Sequence, residues 1–337
     1  MSWPREAGRH ALGDLTLDSG AVLPGATLSW KTHGTLSPAR DNVVLYPTSY
    51  SARHPDLEWL IGPEGVLDPG RWFIVIPDMF GNGLSSSPSN TADYPALVTA
   101  ADNVHAQRRL LAERFGIDRL HAAYGWSMGA QQSYHWAALY PDLVGRVVVN
   151  CGSARTAVHN QVFLLALMAI LEAAPEYDGR GGFTGVPVAA FRAFGRVYAT
   201  MALSHAFYRE GRHLSALGHP DLETYLTRDW QDRYLQRNAA DLLAQLRTWH
   251  AGDISANALY GGDLHLALAS ITADVLLMPG ETDQYFRVAD NAAELTHLRH
   301  AALRPIPSIW GHRAGNPAAN PVDAAFVRAQ VRDWLAH

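Results

Sequence analysis

The chain predicts an α/β architecture: a mostly parallel central sheet with helices on both faces and a helical cap inserted into it. Three observations carry that expectation. Apolar, β-branched runs alternate with helical patterns through the first 150 or so residues, the pattern of a parallel sheet wound with helices. One run, Leu120-His121-Ala122-Ala123-Tyr124, ends on Gly125-Trp126-Ser127-Met128-Gly129 and passes straight into a helix. The alternation then stops near Ala154 and resumes only at Asp274, with helical patterns between. The expected division is therefore a core of 1–154 and 263–337, and a cap of 155–262.

Each element follows from its local pattern. Leu15-Thr16-Leu17 and Thr27-Leu28-Ser29-Trp30 alternate, as antiparallel edge strands do. Val43-Val44-Leu45-Tyr46 and Trp72-Phe73-Ile74-Val75-Ile76-Pro77 are continuously apolar, as central strands are. A helix is expected from Thr99 to Phe115, closed by Gly116. The elbow helix runs from Ala130 to Tyr140 and stops at Pro141, before the strand Arg146–Asn150. Within the cap, helices are expected over 160–173, 188–203 and 222–249. The strand Asp274–Met278 and a final helix over 321–336 complete the core.

Composition narrows the function. Of 337 residues, 48% are hydrophobic and 18% charged, which supports a large core. A net charge of −5 without a basic block argues against nucleic acid and anionic membrane as partners. No apolar run is long enough to span a bilayer, and the first residues lack the apolar segment of a secretory signal. The single cysteine, Cys151, excludes an internal disulfide and suits a reducing compartment, so the expected location is the cytoplasm. Cys151 ends an apolar strand, where a buried inert thiol is expected.

The Gly-x-Ser-x-Gly turn between strand and helix is a nucleophile elbow. It is so tight that the residues two before and two after the serine must be nearly side-chain free, and both are glycine here. A serine hydroxyl needs a neighbouring imidazole to take its proton, and the imidazole needs a carboxylate to fix its tautomer. Asp283 lies just past a core strand in Met278-Pro279-Gly280-Glu281-Thr282-Asp283, with Glu281 as the alternative acid. His312 follows in Ile309-Trp310-Gly311-His312. The order Ser127, Asp283, His312 matches that of α/β hydrolases. Of the 16 histidines, His135 lies within the elbow helix and reads as structural.

For the oxyanion, one donor is expected from the N–H of Met128 and a second from Thr48, with Ser49 as the alternative. Tyr50, Trp126 and Trp310 are expected to shorten the acyl pocket. Gly81-Asn82-Gly83-Leu84-Ser85-Ser86 lacks the helix that a dinucleotide loop must open, and its glycines suit a close pass by the site. His297 and His300 are spaced as a helical surface pair without carboxylates. Neither cofactor nor metal is expected.

The chain resembles the homoserine O-acetyltransferase family, and its esterase-like branch, within the α/β hydrolases. The resemblance rests on Asn82-Gly83-Leu84-Ser85-Ser86-Ser87-Pro88, Ser127-Met128-Gly129, Thr282-Asp283 followed by Phe286, and Gly311-His312. The turn from Gly179 to Phe183 and the stretch from Phe207 to Arg212 are also similar. It implies a serine acyl-enzyme, a short acyl group, a helical cap and often a dimer through cap helices. Departures are specific. Trp126 and Ala130 stand at usual glycine positions, and Tyr46-Pro47-Thr48-Ser49-Tyr50 replaces the usual His-Ala-Leu-Thr-Gly. Arg313 follows the base where acetyltransferases of this family place an Asp that meets the amino group of homoserine. A guanidinium there repels an ammonium.

The sequence therefore points to serine-dependent hydrolysis of small carboxylic, above all acetyl, esters. The alternative is an O-acyltransferase passing a short acyl group from acyl-CoA to a small alcohol or amino-acid hydroxyl. A catalytically silent binding protein on the same fold is the reading from a different class. The expected partner is a small ester.

Overall fold

The computed structural model describes residues 2–336. Eight strands form one sheet in the order β1-β2-β4-β3-β5-β6-β7-β8. Strand β1 (Arg5–Thr16) pairs antiparallel with β2 (Val22–His33), and β2 antiparallel with β4 (Phe73–Pro77). The remaining pairings are parallel, through β3 (Val43–Leu45), β5 (Leu120–Trp126), β6 (Val144–Asn150), β7 (Asp274–Met278) and β8 (Ala301–Leu303). The antiparallel edge is much longer than its alternating residues suggested, because exposed polar positions of β1 continue the ladder to Arg5.

The sheet core is fully buried at Val43, Val44, Leu45, Ile74, Val75, Val147, Val148, Val149 and Leu276. Burial of both faces explains why these strands read as continuous apolar runs. Helix α1 (Ala100–Phe115) is capped at Thr99, whose side chain accepts from the Asp102 N–H. It ends on Gly116 at φ 62°, the left-handed closure that glycine takes without strain. Helix α2 (Met128–Leu139) follows β5 directly and is buried along almost its whole length.

Between β6 and β7 the chain is helical. Helix α3 (Val158–Glu172), α4 (Val188–Ala202) and α5 (Ala239–His250) carry most of this region. The long helix expected over 222–249 is broken. Residues Leu226–Gln231 form a π-helical turn, and Asn238 caps α5 by accepting from Ala240 and Asp241 N–H groups. A polar cap residue mid-pattern thus overrode the apolar periodicity. Helix α6 (Val288–Leu295) follows the acid loop, and α7 (Pro321–Ala336) closes the chain.

One buried carboxyl joins α2, α6 and the loop after β6. Glu294 of α6 accepts from the Ala154 N–H at 2.8 Å, Asn291 Nδ2 at 2.9 Å and the Tyr134 hydroxyl of α2 at 3.0 Å. Burial outweighs those donors and lifts its pKa from 4.5 to about 7. The folded state therefore holds a proton that the unfolded chain releases near its ordinary value. Stability from this group should fall as pH rises from about 4.5 to about 7, by about 3 kcal/mol, and level off above. Urea unfolding of the wild type and Glu294→Gln between about pH 5 and pH 8 measures this. A slope equal in both proteins would refute it.

Candidate active site

The elbow is built by exclusion of side chains. Ser127 sits at φ 59°, ψ −128°, outside the regions comfortable for an L-residue. A Cβ on Gly125 would lie 2.2 Å from the carbonyl of Gly129, and one on Gly129 would lie 2.5 Å from the Pro47 carbonyl oxygen. Only glycine at both positions lets β5 reverse into α2 beneath the loop that follows β3. Ser127 N–H donates to the Asn150 carbonyl at 3.0 Å, which ties the turn to β6.

The three residues nominated from sequence meet. His312 Nε2 lies 2.9 Å from Ser127 Oγ, and Nδ1 lies 2.7 Å from Asp283 Oδ2. All three are buried. The other Asp283 oxygen accepts from the Tyr285 and Phe286 N–H groups at 2.7 and 3.2 Å, which fixes the carboxylate plane. The alternative acid, Glu281, is exposed in the preceding turn. His312 stands in a 3₁₀ turn, Gly311–Gly315, after β8. The Trp126 ring stacks on its imidazole at 4.9 Å and 26°, and Tyr285 meets it edge-on at 4.8 Å.

Cys151, Asp283 and His312 bring ligand-type atoms within 4.8 Å of one another. The acid and base are already bonded to each other, and burial, followed by the Asp283 charge, pushes the thiol well above its ordinary pKa. A metal there would have to break the Asp283–His312 bond. His135 is buried, with Nδ1 2.8 Å from the Gln131 carbonyl oxygen, and desolvation lowers its pKa. His297 lies beyond the end of α6, not on a helix with His300, and stacks on His265 at 3.9 Å.

Two sequence expectations need correction. Thr48 is occupied by the fold. Its N–H donates to Pro77 O at 3.3 Å, its hydroxyl accepts from Met79 N–H, and its carbonyl accepts from Gln132 Nε2. A backbone bond beyond the end of β3, to the last residue of β4, takes that N–H. Ser49, the alternative, points the other way: its hydroxyl donates to Trp126 O at 3.1 Å, and it lines the cleft at Ser127. Trp310 also departs from expectation. It packs edge-on against Phe207 at 5.0 Å and lines an outer vestibule, not the cleft at the serine.

That cleft holds about 40 Å³, and the structure places Tyr50, Trp126 and Arg313 on it. Sequence reasoning missed Tyr198, Trp230, Arg233 and Tyr234, which the helical region lowers onto it. Tyr50 stacks on Tyr198 at 5.9 Å and 10°. Burial raises the pKa of both phenols, so they stay neutral. The Arg313 guanidinium lies 4.7 Å from the Trp230 ring centroid and 3.5 Å from Asp229. The glycine loop 81–87 does not line the cleft. It braces the neighbouring loop instead: Asn82 Nδ2 donates to Ala52 O and Asp78 Oδ1, and its carbonyl accepts from Arg53 Nε.

A serine on a strained elbow, hydrogen-bonded to a histidine that is itself oriented by a buried aspartate, at the carboxyl end of a mostly parallel sheet, defines the serine-nucleophile class of α/β enzymes. The alpha/beta hydrolase fold model matches residues 57–312, and the chain belongs to that family. It is 35% identical over 308 residues to an ethyl acetate hydrolase of Pseudomonas veronii, covering 89% of this chain and 87% of the relative. An acetylester hydrolase structure from Corynebacterium glutamicum superposes with a TM-score of 0.93 at 32% identity, over 98% of this chain and 96% of the other. A homoserine O-acetyltransferase of Leifsonia xyli is 28% identical over 348 residues, 91% of this chain and 84% of the relative.

The elbow geometry makes a direct prediction. Gly125→Ala should destabilise the protein by about 3 kcal/mol or more, since the clash is backbone against backbone. It should also abolish covalent labelling of Ser127 by a fluorophosphonate. A variant that melts and labels like the wild type would show that the turn tolerates a side chain.

Proposed function

We propose that the protein hydrolyses small carboxylic esters, acetyl esters foremost, through a covalent acyl-enzyme on Ser127. The observation that carries this reading is the unbroken chain of hydrogen bonds Ser127–His312–Asp283 opening onto a cleft of about 40 Å³. In the proposed mechanism Ser127 Oγ attacks the acyl carbonyl carbon while His312 Nε2 takes its proton. Asp283 holds the imidazole and stabilises its charged form. The tetrahedral oxyanion is held by the N–H groups of Met128, at the start of α2, and Ser49. Collapse expels the alcohol, which receives the proton from His312. Water, deprotonated by His312, then attacks the acyl carbon and frees the acid.

Water as the final acceptor is supported by the cations at the site. Arg313 and Arg233 both line the cleft, and neither favours the ammonium of homoserine. The helices of 155–262 serve as a cap, since Tyr198, Trp230 and Tyr234 close the acyl side. The lone thiol supports a cytoplasmic setting. Among the described residues no helix is long and apolar enough to cross a membrane.

Ser127→Ala and His312→Ala should each lower kcat on p-nitrophenyl acetate by about 10⁴-fold or more. The wild type should prefer acetate to octanoate in kcat/KM by about a hundredfold, because the aromatic walls leave room for a short acyl group. Faster octanoate turnover would refute the acetyl assignment. Loading with an activated acetyl ester and adding homoserine separates hydrolysis from transfer: acetate release should be unchanged, and O-acetylhomoserine formation would establish the transferase.

We also propose a homodimer through the cap. Val158, Val162 and Leu165 form a stripe on α3 and are 75%, 62% and 52% exposed, and Val186 and Val188 are exposed in the same region. Light scattering should give twice the chain mass of 36.9 kDa, and Val162→Glu with Leu165→Glu should give the monomer. A wild-type monomer at micromolar concentration would exclude it.

A further inference from the structure

The cleft at Ser127 admits only one end of a substrate. At about 10–15 Å³ per water-sized occupant, its volume of about 40 Å³ holds roughly an acetyl group. The rest of any ester must lie outside. A wider vestibule of about 540 Å³ opens there and shares Trp126, Arg233 and Arg313 with the cleft as walls. Arg313 directly follows the base, so this vestibule lies on the side where His312 would protonate the departing alcohol.

The vestibule is basic in a chain of net charge −5. Arg228, Arg233, Arg237 and Arg313 line it against Asp56 and Asp229. Arg237 is fixed by Asp56 at 2.7 Å and by the Ser51 carbonyl at 2.8 Å. Asp229 is shared between Arg313 at 3.5 Å and His219 at 2.9 Å. Among the described residues, the exposed side chains of Arg228 and Arg233 have neither a hydrogen bond nor an ion pair. Two guanidinium groups without a protein partner line this one vestibule, and a guanidinium is suited to meet an oxyanion. Apart from Arg233 and Arg313, which both spaces share, the cleft is walled by Tyr50, Tyr198, Trp230 and Tyr234, rings that would strip an anion of water without replacing it.

We propose that the vestibule recognises an oxyanion carried on the alcohol portion of the ester, with Arg228 and Arg233 as its donors. The preferred substrates are then short-chain esters of an alcohol bearing a carboxylate or a phosphate monoester. The inference rests on the esterase reading and names the substrate class of that site.

Calorimetry on the intact protein tests recognition without catalysis. 4-Hydroxybenzoate or 4-hydroxyphenyl phosphate should bind about tenfold more tightly than methyl 4-hydroxybenzoate at low salt. The tighter of the two identifies the oxyanion. The preference should shrink at about 0.5 M salt. In kinetics, the kcat/KM ratio of 4-acetoxybenzoate, or of 4-acetoxyphenyl phosphate, to methyl 4-acetoxybenzoate should show the same preference. Arg228→Gln with Arg233→Gln should cut both ratios at least about fivefold. Arg119→Gln, which removes a charge at the opposite end of β5, should leave them unchanged. Equal binding of anionic and neutral phenols, or ratios that survive the double substitution, would overturn the proposal. Absence of turnover on every ester would overturn the esterase reading instead, and the calorimetric preference would still decide this one.

Discussion

The turn at Ser127 constrains everything around it. The backbone reverses where the Gly125 Cα faces the Gly129 carbonyl, with no room for a methyl group between them. That contact holds the serine at a positive φ and lifts its hydroxyl off the sheet edge. It also brings the first turn of α2 under the loop after β3, so that Ser127 and Ser49 border one small space. Strain of this kind persists only where the surroundings over-determine it. Here they do so through β6, by the Ser127–Asn150 bond, and through the buried length of α2.

Asp283 and His312 arrive from the far end of the chain, and their geometry is held by backbone rather than by chance proximity. Two consecutive N–H groups grip Asp283, and the Thr282 hydroxyl accepts from the Gly311 N–H, joining the acid turn to the base turn. The Gly280–Ile306 bridge continues the β7–β8 pairing up to both. Aromatic rings enclose the imidazole, with Trp126 on its face and Tyr285 and Phe286 around it. Such packing restricts the base to one orientation while excluding bulk water.

Selectivity belongs to a different part of the chain from reactivity. The cleft is narrowed by Tyr198 of α4 and by Trp230 and Tyr234 near the π-helical turn. The guanidinium of Arg313 is positioned by the same segment, through Trp230 and Asp229. Changes in these helices can alter the acyl group and the alcohol without touching the three residues that would carry the chemistry.

By itself the sequence determined the alternation of strands and helices, the helical interruption, the elbow, and the three residues, Ser127, Asp283 and His312, that the fold brings together. These are local signals: β-branched runs, glycines where no Cβ fits, and motifs confined to a few residues. Only the tertiary structure decided the rest. Thr48 and Ser49 are adjacent and chemically alike, and it is the Thr48 N–H that the Pro77 carbonyl takes. Trp310 neighbours His312 in sequence, yet its ring packs against the buried Phe207. Tyr198, Trp230 and Tyr234 carry no motif, because a wall of the cleft is made by packing between segments about 70 to 110 residues away from the serine, and no local pattern encodes that distance.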